Sequence, residues 1–175
     1  VPGRALDVGT GEGADALWLA ERGWHVTASD VSSRALGRVE EEAARRGLDV
    51  RTVHADANSI QPYGAEEYHL VSLQYGSLAR TPEGRGLQAL LGAVAPGGTL
   101  LVVAHEPSWA LEQSDPAAHT RIFDPAAYVG VDEIAAALAA DGGWRIEVRE
   151  TRPRPAGAAS GHHVEDVVLR AVRAP

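Results

Sequence analysis

Segments with strand and helix patterns alternate along most of this chain, separated by glycine or proline. Strand patterns cover 4–8, 24–29, 50–55, 68–74 and 99–104, and helix patterns cover 14–22, 33–46 and 131–140. A further helix begins at Thr81-Pro82 and is ended by the APGG sequence at 95–98. This alternation favours successive βα units on a parallel sheet. We therefore predict an α/β fold.

The last part of the chain breaks the alternation. Trp144, Ile146 and Val148 alternate with charged residues, and 163–172 is a second strand pattern that follows a flexible connection at 152–161. Since no helix separates these strands, we expect them to pair antiparallel as a hairpin. Residues 105–123 show no periodicity, which is typical of a lid or binding loop.

Length and composition restrict the class of protein. With 175 residues, the chain has the size of one domain, which we assign to 1–175. Its net charge of −8 argues against binding to nucleic acid or to an anionic membrane. The absence of cysteine excludes disulfides, thiolate metal ligands and a cysteine nucleophile.

Location and origin follow from similar observations. We find neither a membrane-spanning apolar run nor a signal peptide, so a cytoplasmic location is expected. All 16 basic residues are arginine, which together with the many alanines and glycines indicates a GC-rich bacterial genome.

The glycine-rich stretch LDVGTGEG directly follows the first strand. Gly9, Gly11 and Ala14 have the spacing of the relaxed G-x-G-x-x-G/A fingerprint, and Asp30 lies about 20 residues further on, at the end of strand two. The spacing alone fits NAD, FAD or S-adenosylmethionine equally well. An alternative is that the glycines only make a tight turn.

Acidic residues around this loop discriminate between the ligands. Asp7, Glu12 and Asp15 surround the position where a diphosphate binds a helix N-terminus. At about 4 Å and an effective dielectric of about 20, each carboxylate opposes an anion by up to about 4 kcal/mol. The sulfonium and ammonium of S-adenosylmethionine suit these acids better. Glu12 and Asp15 are also consistent with solvated acids of a first helical turn, whereas Asp7 lies in an apolar strand and needs partners.

Polar residues follow two other strands. Asp56 ends strand three, where it suits an adenine amino group or a turn. Gln74 and Tyr75 end strand four. Since ligands bind at the carboxyl ends of the strands in open α/β sheets, we expect these residues to converge there with the glycine loop.

Taken together, the chain resembles the class I S-adenosylmethionine-dependent methyltransferases of the small-molecule type, and is similar to the tellurite-resistance group. The resemblance covers about 4–172. Its motifs are LDVGTGEG, the acidic end of VTASD, HADA, YHLVSLQY and VAPGGTLLVV.

The resemblance implies a Rossmann-like, doubly wound sheet of seven strands in the order 3-2-1-4-5-7-6, mostly parallel, with a C-terminal antiparallel hairpin. It implies S-adenosylmethionine as cofactor and S-adenosylhomocysteine as product. The implied cofactor-binding residues are Asp7, Gly9, Gly11, Asp30, Val31, Asp56, Ala57, Gln74 and Tyr75.

Two features depart from the family pattern. His69 occupies a strand-four position that is commonly Asp, and Val1 lies almost at strand one, which the family normally precedes with a helix. We therefore expect a domain without its N-terminal cap segment.

Methyl transfer needs alignment and exclusion of water more than it needs a base. If a base exists, His105 is our candidate, because it follows strand five and imidazole titrates near neutrality; a strand-end histidine with a satisfied hydrogen bond is the alternative. Glu106 is a weaker candidate. His162, His163 and Asp166 have metal-ligand chemistry, but adjacent strand residues point to opposite faces, so no metal is expected.

We thus expect a monomeric or homodimeric enzyme that methylates a small molecule. Two alternatives stay open: a nicotinamide-dependent oxidoreductase, and a noncatalytic domain that binds S-adenosylmethionine. Trp109, Phe123 and Tyr128 could line an apolar pocket for the acceptor or belong to the core.

Overall fold

The computed structural model describes residues 2–105, 125–155, 157 and 164–175. These residues form a seven-stranded sheet whose strands are β1 (Arg4–Val8), β2 (His25–Asp30), β3 (Val50–His54), β4 (Tyr68–Gln74), β5 (Val94–His105), β6 (Trp144–Pro153) and β7 (Glu165–Arg173). The order is β3-β2-β1-β4-β5-β7-β6, and β7 runs antiparallel to both β5 and β6. The predicted fold and strand order are confirmed.

Helices cover both faces of the sheet. They are α1 (Ala14–Ala20), α2 (Ser33–Arg46), α3 (Arg85–Gly92) and α4 (Val131–Asp141), with a 3₁₀ turn at Pro125–Ala127. Ala5 and Leu6 are adjacent on β1 but belong to two different buried clusters, because successive strand residues point to opposite faces. Val39 of α2 packs into the cluster that contains Ala5. Leu138 of α4 packs into the cluster that contains Leu6. No helix among the described residues is long and apolar enough to cross a bilayer.

The helix predicted to begin at Thr81-Pro82 begins later. Residues 82–83 form a turn, and Gly84 adopts a left-handed conformation with φ +63° just before α3. The Thr81 hydroxyl still accepts a hydrogen bond from the Arg85 N–H at 3.2 Å. The threonine therefore holds the turn that leads into the helix.

The APGG sequence is part of β5 and does not form the predicted helix stop. Val94 already pairs with Tyr68, and the register then shifts before Leu70 pairs with Thr99. A Cβ on Gly98 would lie 2.8 Å from the Ala95 carbonyl oxygen and 2.9 Å from that of Tyr68. Glycine is required there because the backbone itself fills the space.

The C-terminal hairpin is longer than the alternation indicated. Strand β6 continues to Pro153, so Arg152, which we had placed in the flexible connection, pairs with Asp166 of β7. His162 and His163 lie outside the described residues. The tertiary pairing extends β6 beyond the part that its hydrophobic pattern marks.

His69 takes a structural role at the amino end of the sheet. Its Nδ1 accepts a hydrogen bond from the Arg4 N–H at 3.0 Å, and its ring packs against Gly3. The imidazole thus ties β4 to the start of β1. This explains how the fold accommodates the departure from Asp at this position.

Candidate active site

The glycine loop between β1 and α1 forms a tight turn in which each glycine has a different reason to be glycine. Gly9, Gly11 and Gly13 all have positive φ angles, of +68°, +54° and +80°. A Cβ on Gly13 would lie 2.7 Å from the Val39 side chain, whereas a Cβ on Gly11 would meet no atom of the described residues within 4 Å. Glycine is therefore needed at position 13 for packing, while Gly11 borders a space at the carboxyl edge of the sheet that the described part of the chain leaves open.

Asp30 at the end of β2 holds the glycine loop in place. Its Oδ2 accepts from the Gly11 N–H at 2.9 Å, and its Oδ1 accepts from the Ser32 N–H at 2.8 Å. Each carboxylate oxygen keeps a further lone pair for a hydroxyl donor. Besides its predicted role in ligand binding, Asp30 therefore has a structural role that the sequence did not reveal. The contact with Gly11 depends on the pairing of β1 with β2.

Asp7 lies beneath the loop and is only 3% exposed. Its Oδ2 accepts a hydrogen bond from the Thr10 hydroxyl at 2.7 Å. Burial is the main reason why the pKa of the Asp7 carboxyl is raised to about 6; the Thr10 hydrogen bond opposes the increase, and the negative charges of Asp15 and Asp30 add to it. A cation near this loop would favour the ionised carboxylate.

Asp15 and Glu12 differ in burial and in whether a cation compensates their charge. Asp15 is half-buried; burial raises its pKa, and a hydrogen bond from Gln74 partly opposes the increase. Glu12 is exposed and forms an ion pair with Arg38 of α2. Of the three acids expected around the loop, Asp7 and Asp15 contribute its negative charge, while Glu12 is compensated on the surface.

We expect Asp7→Asn to remove part of the pH dependence of stability. The carboxyl pKa is 3.8 in the unfolded chain and about 6 in the folded one, so the folded state binds the extra proton between these values. Stability from this group is therefore greatest below pH 3.8, falls as the pH rises through 6, and stays lower above it, by about 3 kcal/mol in total. The asparagine cannot ionise, so urea unfolding of the variant should lose less stability between pH 4.5 and 7.5.

Asp49→Asn is the control, because Asp49 is exposed at the amino edge, just before β3. The free energy of unfolding of Asp49→Asn should change between pH 4.5 and pH 7.5 by as much as that of the wild type. Equal declines in Asp7→Asn and the wild type would contradict the raised pKa.

Around the end of β3, the structure places the predicted adenine-binding residues in a turn. Asp56 is exposed, and its Oδ1 accepts from the Asn58 N–H at 2.8 Å, which is the turn-forming role considered above. Ala57 is half-buried beside it, and Val31, at the end of β2, is 65% exposed. The Val31 carbonyl contacts Nε2 of His54 at 2.8 Å, which ties the ends of β2 and β3 together.

The end of β4 lies directly against the glycine loop. A Cβ on Gly9 would lie 3.4 Å from the Gly76 Cα atom. Tyr75 has a left-handed backbone with φ +53°, which is uncommon for a bulky residue. The Tyr75 N–H donates to the Val103 carbonyl at 2.8 Å, so β5 holds this strained residue at the edge of the site.

Four side chains meet around Asp166 at the ends of their strands. We call them the Asp166 cluster: Tyr75, His105, Arg154 and Asp166. The Tyr75 hydroxyl donates to Asp166 Oδ2 at 2.7 Å, and His105 Nδ1 lies 3.4 Å from Asp166 Oδ1. Arg154 Nε is 3.4 Å from Asp166 Oδ2. Burial and the hydrogen bond with Asp166 raise the pKa of Tyr75 to about 12, so the phenol stays protonated.

The sequence predicted only two members of this cluster. Asp166 was considered only as a metal ligand beside His162 and His163, and Arg154 was assigned to a flexible connection. Both reach the site because β7 pairs with β5 so that Asp166 lies opposite His105. Among the described residues, no three His, Asp or Glu side chains come together as metal ligands.

Other candidates remain unplaced or lie elsewhere. Glu106, Trp109 and Phe123 lie outside the described residues. Tyr128 is half-buried and forms an isolated β-bridge with Ala79.

Comparison with known proteins gives a family match over more than half of the chain. Residues 5–98 match the family described as "Methyltransferase domain". The demethylmenaquinone methyltransferase of Thermus thermophilus is 34% identical over 108 residues, which are 61% of this chain and 49% of that protein. This chain thus spans about half the length of that curated relative.

Solved structures agree on the fold. A SAM-dependent methyltransferase from Methanosarcina mazei superposes with a TM-score of 0.74 at 20% identity, covering 98% of this chain and 92% of that one. The N-methyltransferase NodS from Bradyrhizobium japonicum, in complex with S-adenosyl-L-homocysteine, gives 0.72 at 15% identity, covering 98% and 78%. At these identities the likeness establishes the architecture.

Proposed function

This chain belongs to the methyltransferase domain family, as its motifs had indicated, and on that premise we propose that it transfers a methyl group from S-adenosylmethionine to a nucleophilic atom of a small molecule. The curated relative reported above is named for methylation of a small molecule, demethylmenaquinone. A cytoplasmic location, a bacterial origin and a monomeric or homodimeric state remain predictions of the sequence.

The observation that carries this proposal is the buried carboxylate of Asp7 beneath the glycine loop. Asp7 is held by Thr10 of the loop itself, and Asp15 adds a second acid on the adjoining helix. A diphosphate on this turn would face both charges, whereas a ligand with a sulfonium and an ammonium would be attracted by them. The residues present therefore fit S-adenosylmethionine better than a dinucleotide.

The remaining residues suit the other parts of the cofactor. Asp30 offers lone pairs to ribose hydroxyls while it holds Gly11. The exposed Val31 side chain offers an apolar surface to the adenine, and Asp56 and Ala57 lie at the end of the neighbouring strand. We assign Gln74 and Tyr75 to the border of the methyl group, because both end β4 beside the loop.

The chemistry asks mainly for alignment. When bound, S-adenosylmethionine supplies an electrophilic methyl group on a positively charged sulfur. The protein's residues hold the acceptor in line with that methyl group and exclude water, which can lower the barrier by about 7–11 kcal/mol. His105, at the end of β5, is our candidate base for an acceptor that carries a proton.

Titration calorimetry tests the ligand class. We expect S-adenosylmethionine and S-adenosylhomocysteine to bind and NAD not to bind. Affinity for S-adenosylmethionine should rise from pH 5 to pH 7, because Asp7 ionises near pH 6 and its ionised form attracts the cation. In Asp7→Asn this rise should be smaller.

Methyl transfer is then measured with a panel of phenols, thiols, amines and metalloid oxyanions. Product formation with any acceptor supports the proposal. Tight binding of NAD, or cofactor binding with no transfer to any acceptor class, would count against it; the second result would favour a noncatalytic domain.

A further inference from the structure

The Asp166 cluster is built like a site for a proton-bearing acceptor, and this inference rests on the proposed function. The Asp166 side chain is 10% exposed, yet three polar groups from three other segments converge on it. Its neighbours keep more contact with solvent, since the His105 side chain is 30% exposed and Tyr75 is 45% exposed. A buried anion thus orients rings that border the open edge of the sheet.

The cluster also adjoins the glycine loop. Tyr75 is followed by Gly76, against which Gly9 packs. The negative charge of Asp15, in the first turn of α1, also contributes to the raised pKa of the Tyr75 phenol. The Tyr75 and His105 rings lie 4.6 Å apart between centroids. The imidazole therefore stands one ring away from the loop that we assign to the methyl donor.

The contact with Asp166 determines which imidazole nitrogen is basic. A carboxylate facing Nδ1 favours the neutral tautomer that carries its proton on Nδ1, which leaves the lone pair on Nε2. The distance of 3.4 Å is long, as hydrogen bonds of catalytic groups often are before ligands bind. The Tyr75 hydroxyl occupies the other carboxylate oxygen and so holds the carboxylate in this orientation.

Arg154 supplies a second observation that points to a ligand oxygen. Its Nε and Nη1 atoms are buried and have no hydrogen-bond partner among the described residues, although Nε lies 3.4 Å from Asp166 Oδ2. Buried donors normally find an acceptor. A ligand oxygen beside the cluster would satisfy them once the guanidinium turns to meet it, because neither atom is accessible in the present side-chain position.

We propose that Asp166 is a positioning residue that aligns His105 as the base, and that the methyl acceptor is a weakly acidic hydroxyl group. In the step, Nε2 of His105 takes the hydroxyl proton and becomes imidazolium. The acceptor oxygen forms the bond to the methyl carbon, and the carbon–sulfur bond breaks with its electron pair left on sulfur. The sulfonium charge is thereby lost and one positive charge appears on His105, which Asp166 faces.

The closing experiment compares Asp166→Asn with the wild type on two probes, phenol and pentafluorophenol. Phenol is neutral at the assay pH and needs the base, whereas pentafluorophenol is already ionised. We expect kcat with phenol to fall about 100-fold, and kcat with pentafluorophenol to fall about threefold at most. KM and the affinity for S-adenosylhomocysteine should change less than about twofold, since the substitution is isosteric.

Two further variants sharpen the result. Tyr75→Phe removes only the hydroxyl that holds Asp166, and should lower kcat with phenol by about tenfold while the ring stays against His105. Asp132→Asn changes an exposed aspartate that pairs with Arg149 on the surface, and should leave both rates unchanged.

A readout without turnover is the position of the imidazole proton in the wild type. ¹⁵N NMR of His105 should show it on Nδ1, and finding it on Nε2 would overturn the proposal. Equal losses with both phenols in Asp166→Asn would reduce Asp166 to a structural role, with the proposed function intact. Transfer to thiols or amines but to neither phenol would overturn the hydroxyl acceptor alone, and transfer to nothing would overturn the proposed function too.

Discussion

Gly11→Val should abolish binding of S-adenosylhomocysteine while the sheet stays folded. A side chain at this position would enter the space beside the loop that the described residues leave unfilled, where our assignment puts the cofactor. It would also keep a ligand from approaching the backbone, which is the role of the second glycine in such turns. We expect the affinity measured by calorimetry to fall by at least about 100-fold.

The matched control is Gly47→Val. Gly47 caps the C-terminus of α2 with φ +67°, and within 4 Å a Cβ there also meets nothing in the part of the chain that the structure describes. Both substitutions carry a strain of about 1–2 kcal/mol for the left-handed backbone, so urea unfolding should show similar losses of stability. Only Gly11→Val should lose the ligand. Normal affinity in Gly11→Val would remove the cofactor from this loop.

Asp30→Ala is expected to weaken binding of S-adenosylmethionine by about 5- to 150-fold, which corresponds to about 1–3 kcal/mol. The substitution removes the proposed acceptor of the ribose hydroxyls. It also leaves the N–H groups of Gly11 and Ser32 without their carboxylate, so the loop loses its tie to β2. Calorimetry at constant pH measures the affinity.

Asp49→Ala is the corresponding control, because this exposed aspartate precedes β3 at the opposite edge of the sheet. Its affinity should equal that of the wild type. Asp30→Asn should fall between the two, since one amide oxygen replaces two accepting oxygens. Unchanged affinity in Asp30→Ala would withdraw its assignment to the ribose.

The local hydrophobic pattern was sufficient to predict the elements in which buried and exposed side chains follow the strand or helix period. The run from Tyr68 to Gln74 was predicted as a strand and forms β4 with the same bounds. The helix pattern at 33–46 likewise forms α2 with those bounds, between a Ser32 cap and Gly47. Boundaries failed where the backbone or a distant strand decides. The glycines of 95–98 lie within β5 because β4 pairs with the residues on either side of them, Val94 and Thr99. Arg152 lies in β6 because β7 pairs with it.

The candidate site divides in the same way. The glycine loop, the acid at the end of β2 and the residues after β4 were predictable because they are short motifs at strand ends, and parallel strands bring such ends to one edge. Glu12 was expected to add negative charge at the loop, and only the position of Arg38 on the next helix compensates it.

The sequence by itself determined the alternating architecture, the family and the acidic character of the turn after β1, because each depends on neighbours along the chain. Only the tertiary structure decided that Asp166 and Arg154 belong with His105 and Tyr75. These four residues come from the ends of four strands, and the antiparallel insertion of β7 between β5 and β6 brings them together. Contacts between residues so far apart in the chain leave no periodic trace in the sequence.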